Sequence, residues 1–91
     1  MELKETLNER GSRYGSYSDV IEARSRIMEI LTQHNERSGL ELLNNKFYIA
    51  MNDIVLKLVR ASASPNYKDS WHDIQGYAHL IETELCENET K

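Results

Sequence analysis

The stretch Leu40-Glu-Leu-Leu-Asn-Asn-Lys-Phe-Tyr-Ile-Ala-Met-Asn-Asp-Ile-Val-Leu-Lys-Leu-Val-Arg-Ala61 decides the fold. Leu43, Phe47, Met51, Ile54 and Leu58 recur at spacings of three and four, the period at which side chains share one face of an α-helix. Tyr48, Val55 and Val59 widen that stripe. A stripe this broad belongs to a central helix that touches two neighbours or a second subunit. Ser38 and Glu41 have the spacing of a capping box, so the helix is expected from about Leu40 to Ala61.

Working outward, Ser62-Ala-Ser-Pro-Asn66 breaks the chain, because Pro65 lacks an amide hydrogen and disfavours a helical Ser64. A following helix is expected from Lys68 to Cys86, with Trp71, Ile74, Ala78, Ile81 and Leu85 as its inward row. On the N-terminal side, Ser18 caps an expected helix whose first turn carries Asp19 and Glu22. Val20, Ile27 and Leu31 face inward there, Arg24, Arg26 and Glu29 face outward, and the helix fades near Asn35–Arg37. A short segment, Glu2 to Arg10, aligns Leu3 and Leu7 and ends at Gly11. It is too short to stand alone and must dock. Gly11-Ser-Arg-Tyr-Gly-Ser-Tyr-Ser18 is then a loop, residues 1–17 forming the short helix and loop, and residues 87–91 a polar, frayed tail.

The expected fold is therefore all-α: one domain over residues 1–91, a small antiparallel helical bundle of three main helices plus the short N-terminal one. No run alternates as a strand would. The breadth of the third helix's stripe points to a homodimer through the second and third helices.

Composition narrows the function classes. The chain has 91 residues, with 40% hydrophobic and 29% charged side chains, as in ordinary globular domains. A net charge of −4 argues against a general nucleic-acid binder, which needs a clustered basic surface. The single cysteine, Cys86, excludes an internal disulfide and a cysteine-rich zinc site. No window approaches the ~20 apolar residues of a membrane span, and no charged start leads into an apolar run. The expected compartment is the cytoplasm.

Several residues could carry chemistry. In Asp69-Ser-Trp-His-Asp-Ile-Gln-Gly-Tyr77, Asp69, Asp73 and Tyr77 fall four apart on one helical face, with His72 beside both acids and Trp71 adjacent. Gly76 costs a helix about 1 kcal/mol relative to alanine, a cost tolerated where a backbone or a ligand must come close. Asp69 and Asp73 are hard oxygen donors suited to magnesium. The same residues also read as helix-starting and core positions. Asp19 and Glu22, at i and i+3, form a second acidic pair able to share a cation, or simply to complement a helix N-terminus. Lys57 and Arg60 form a cationic pair that, with Arg13, suits a phosphate; the alternative is interaction with the helix C-terminus. Arg13 and Tyr14 suit a loop folding over a ligand, or an anchoring loop. His34 and His79 have no companion at ligand spacing. Neither a nucleophilic triad nor a glycine-rich phosphate loop is present.

Three stretches together resemble a known family: Asn8-Glu-Arg-Gly-Ser-Arg-Tyr-Gly15, Lys57-Leu-Val-Arg60 and Pro65-Asn-Tyr-Lys-Asp-Ser-Trp-His-Asp-Ile-Gln-Gly-Tyr-Ala78. They are similar to a small helical domain family of bacteriophages and prophages with R-G-x-x-Y-G, K-[IL]-x-R and D-S-W-x-D-I-x-G-Y-A in that order. The resemblance implies a phage setting, hence the host cytoplasm, and a compact helical domain; no activity comes with it. A looser likeness is to the all-α nucleoside triphosphate pyrophosphatases of the MazG type, dimeric bundles holding magnesium with E-x-x-E and E-x-x-D pairs. Asp19-Val-Ile-Glu22 resembles the first pair. Ile49-Ala-Met-Asn52 with Asp53 leaves the second incomplete, and Asp69 and Asp73 come one helix later, spaced by four.

Three functional expectations follow. The first is a phage accessory module that binds a nucleotide or nucleotide-like ligand without turnover, through Arg13, Tyr14, Lys57, Arg60 and the Asp69–Tyr77 face. The second is an acidic helical dimer that binds and inhibits a host protein. The third is a magnesium-dependent pyrophosphatase using Asp19, Glu22, Asp69 and Asp73.

Overall fold

The computed structural model describes residues 2–87. Four α-helices follow one another: α1 Leu3–Tyr14, α2 Tyr17–Ser38, α3 Asn45–Ala63 and α4 Lys68–Leu80. A π-helical turn, Ile81–Leu85, completes the last helix. The fold is all-α, and no strand occurs among the described residues. Of the expected tail, Glu87 is described and residues 88–91 lie outside the described residues.

α3 is the hub, packing on α2, α4 and α1. α2 and α3 run antiparallel, and Arg24 spans them with two hydrogen bonds to Asn52 Oδ1, of 3.2 and 2.8 Å. Arg24 is thus half-buried at the seam, not outward as its sequence position suggests. The reason is its place four residues after Val20, on the buried row. The core is a thin seam of Val20, Met28, Val55 and Ala61, joined by the buried hydroxyl of Ser70.

The helix boundaries differ from the sequence expectation in three places, each with a local cause. α1 runs through Gly11 to Tyr14 and ends at Gly15, whose φ of +90° suits only glycine. The expected eight-residue loop therefore shrinks to Gly15-Ser16. Ser16, not Ser18, caps α2, its hydroxyl accepting from the Asp19 amide at 3.2 Å. The expected capping box at Ser38 does not form. Gly39, with φ of +62°, instead closes α2 from its C-terminal side.

α3 starts at Asn45 because Asn44 is its cap, accepting from the Phe47 amide at 3.0 Å. The intervening loop is pinned by Asn35. Its amide donates to the Glu41 carbonyl at 2.7 Å and its oxygen accepts from the Leu43 amide at 3.3 Å. Leu40 and Leu42 point away from the fold, 88% and 91% exposed.

α4 is rotated relative to the expected row. Ser70 is buried and Asp73, Ile74, Tyr77 and Ile81 are half-buried, whereas Trp71 and Ala78 are exposed. Trp71 works at the turn instead of the core. Its indole donates to the Pro65 carbonyl at 2.8 Å, strapping the turn that Pro65 creates. The π-turn is closed by the Cys86 amide donating to the Ile81 carbonyl at 3.0 Å, five residues back.

Candidate functional site

The polar residues gather where α1 meets α3 and the α3–α4 turn. Arg13, in the last turn of α1, donates from Nη1 to the Tyr67 hydroxyl at 3.1 Å. That hydroxyl donates in turn to Asp69 Oδ2 at 2.9 Å. The Arg13 guanidinium also lies 4.4 Å from the Tyr67 ring centroid, a cation–π distance. Glu9, one turn earlier, comes within 3.9 Å of the same guanidinium. The Ser64 hydroxyl donates to the Arg13 carbonyl, covering one of the carbonyls that a helix end leaves free. Arg13 is therefore engaged in anchoring α1 to the α3–α4 turn.

Asp69 raises the pKa of the Tyr67 phenol above its ordinary value of 10.0, since ionisation would end the hydrogen bond Tyr67 donates. Partial burial acts in the same direction. Asp69 thus faces back to Tyr67 and not along the face of Asp73 and Tyr77. Tyr67 is not legible as a site residue in the sequence; it lies within the Pro65–Ala78 stretch, but only the fold brings it to Arg13.

Tyr14 stands beside this anchor, edge-on to Tyr67 at 6.3 Å and 72°. On its other side the Arg60 guanidinium lies 5.0 Å from the Tyr14 centroid. Lys57 and Arg60 do not act as one cationic pair. Lys57 Nζ turns to α4 and forms an ion pair with Asp73 Oδ2 at 3.0 Å, while Arg60 turns to α1.

Tyr14 and Arg60 border two hollows that share the C-terminal half of α1 as a wall. The smaller, about 340 Å³, is lined by Thr6, Glu9, Arg10, Arg13, Tyr14 and Arg60. The larger, about 510 Å³, runs between α1, α2 and α3. Its cations are Arg10, Arg24 and Arg60, and its apolar and aromatic walls include Leu7, Tyr14, Tyr17, Val20 and Leu56. No acidic side chain lines it. Among the described residues no carboxylate forms an ion pair with any of these three arginines. Gly11 also lines the groove, and a Cβ placed there would meet only open space. Arg10 and Arg24 are site residues that the sequence reading misses. Arg10 sits within the R-G pair of the N-terminal stretch, and Arg24 on the inward row of α2.

The remaining candidates are dispersed. His72, Asp73, Gly76, Tyr77 and Leu80 line a shallow hollow of about 290 Å³ on α4. No backbone approaches Gly76; a Cβ there would meet nothing within 4 Å. Asp19 sits at the capped start of α2. Glu22 pairs with Arg26 at 2.8 Å along the exposed face of the same helix. Asp69 and Asp73 hold different partners, Tyr67 and Lys57. Among the described residues, no group of three or more His, Cys, Asp or Glu is placed to hold a metal ion.

Residues 2–84 match the family described as "Domain of unknown function (DUF6378)". The chain belongs to that family. No curated protein and no solved structure matches it. Among the described residues, no helix of this family member is long and apolar enough to cross a membrane.

Proposed function

We propose that this domain binds an anionic, ring-bearing ligand of the nucleotide class in the groove between α1, α2 and α3, without turning it over. The observation that carries the reading is the convergence of Arg10, Arg24 and Arg60 on a groove whose own lining includes apolar and aromatic walls and no acidic side chain. Guanidinium forks match phosphate oxygens in pairs. Three of them concentrated on one face of a chain of net charge −4 form a local exception to its charge. The groove's volume of about 510 Å³ lies within the range of small-molecule sites. Tyr14 and Tyr17 supply flat faces on which a base can stack. The lining includes neither carboxylate nor histidine to act as a general base, which favours binding over hydrolysis. A phage setting for this module rests on the three resembling stretches of sequence.

Calorimetry against nucleoside mono-, di- and triphosphates and cyclic dinucleotides tests the reading. Heat from at least one of them is expected, with affinity reduced tenfold or more in Arg10→Ala and in Arg60→Ala. Arg26→Ala, on the exposed face of α2, is expected to bind as the parent does. Absence of heat with every compound would remove the proposal.

A second reading, binding and blocking of a host protein, draws on one specific feature. Leu40 and Leu42 are held outward by a loop that Asn35 makes rigid. Fixed, exposed leucines are the kind of anchor a protein partner covers. If that reading holds, a partner captured from host lysate is lost when both leucines are replaced by serine.

A further inference from the structure

We infer that the side of the α2–α3 pair that α1 leaves bare is closed by a second copy of this chain. α1 has 12 residues and α2 has 22. At about 1.5 Å per residue α1 is roughly 18 Å long and α2 roughly 33 Å. Val20 of α2 and Leu56 of α3 line the groove beneath α1. Two turns along from each, on the same helical rows, stand Ile27 and Ile49. Ile30 and Leu31 extend the row on α2. These four aliphatic residues lie toward the end of the pair that α1 does not reach. Ile30 is 61% and Ile49 63% exposed.

The surface area leaves room for such a cover. A compact protein of this mass exposes about 5,500 Å² by the size scaling of folded monomers, and this chain exposes 7495 Å². The radius of gyration is 15.7 Å, against about 12 Å for a compact domain of this length. The excess, roughly 2,000 Å², belongs to the elongated chain as a whole and is ample for the ~800 Å² per partner that a standard interface covers.

Ile30 and Ile49 are exposed while Ile27 and Leu31 are half-buried, and packing this patch on the same patch of a second copy gives the isologous contact of a two-fold axis. In such a dimer α2 and α3 of each copy pack on the bare half of the other.

Sedimentation velocity from 1 to 100 μM tests this. A species of twice the 10.6 kDa chain mass is expected, converting to a monomer of unchanged helical circular dichroism in Ile49→Asp and in Ile30→Glu. Leu80→Ser, at an equally exposed leucine on α4, is expected to leave the dimer intact. Hydrogen exchange on the parent protein gives a test that needs no variant. Protection of residues 26–32 and 46–51 is expected to rise with protein concentration. A parent that stays monomeric at 100 μM overturns the inference. So does a dimer that resists both substitutions, or one whose concentration-dependent protection falls elsewhere.

Discussion

The two ends of the bundle are held by different physics. At one end α1 is fastened to the α3–α4 turn by directional contacts: Arg13 on Tyr67, Tyr67 on Asp69, Ser64 on the Arg13 carbonyl and Arg60 against Tyr14. At the other, Ile30 and Ile49 stand in the open although the end of the last helix also packs on α3 there, and the α2–α3 loop turns Leu40 and Leu42 outward. Directional contacts need few residues and hold a short helix that could not nucleate alone. Apolar packing needs area, and the π-turn Ile81–Leu85 that packs on α3 there leaves Ile30 and Ile49 exposed. The difference shows why a chain of this size can have a well-defined cationic groove at one end and exposed isoleucines at the other.

The largest expected effect lies between the two ends. Met28 is almost fully buried on the α2–α3 seam, and Met28→Ala is expected to cost about 2–5 kcal/mol by lost transfer energy and a residual cavity. Urea unfolding measures it. If the seam is the main source of stability, this loss far exceeds that from any single polar contact in the anchor. A loss below that of Arg13→Ala would invert the comparison.

The anchor can be dissected with a pair of variants. Arg13→Ala removes both the hydrogen bond to Tyr67 and the cation over its ring, whereas Tyr67→Phe keeps the ring and removes only the hydroxyl. Both are expected to lower Tm, Arg13→Ala by more, and faster amide exchange should be confined to α1. Exchange rising equally in all helices would mean that α1 is not a separately fastened element.

How legible these two ends are in the sequence follows from the same contrast. The period of three and four in α3, and the break at Pro65, are local properties of the chain; the helix and the break both form, though α3 starts at Asn45 and not at Leu40. Helix ends are less legible because two caps compete wherever small polar residues cluster: Ser16 against Ser18, Asn44 against Ser38. The choice between them depends on which glycine takes positive φ, and Gly15 and Gly39 do so while Gly11 does not. The α4 phase misleads because Trp71 carries the strongest apolar signal there, yet its indole is needed at the Pro65 carbonyl while a serine fills the core position. Of the candidate site, Tyr14 and Arg60 are legible as residue types and do meet. Arg10, Arg24 and Tyr67 are not, because their relation to the others spans α1, α2 and the α3–α4 turn and has no sequence period.

Two glycines separate cost from purpose. Gly76 and Gly11 both lie inside helices, and a Cβ at either would meet nothing within 4 Å. Each alanine substitution is expected to stabilise the fold by up to about 1 kcal/mol, visible as a raised Tm. They should differ in binding. Gly11 lines the groove that the three arginines face, so Gly11→Ala is expected to weaken the nucleotide heat while the fold gains stability. Gly76→Ala, on α4, should leave it unchanged. Equal binding in both variants would mean that the ligand does not approach α1 at Gly11.

The smallest expected effect is alkaline. With its pKa raised in the folded state, Tyr67 contributes stability that is fully present below the unfolded value of 10.0 and is lost as pH rises through the folded value. Ultraviolet difference titration should show a tyrosine step above the ordinary value of 10.0, absent in Tyr67→Phe. In Asp69→Asn that step should move toward lower pH, since the carboxylate that accepts the phenol's proton is gone while Arg13 remains to favour the phenolate. A late step that survives Tyr67→Phe would belong to another tyrosine. The anchor would then be carried by Arg13 on the ring face and Ser64 on the helix end, without the Tyr67–Asp69 hydrogen bond.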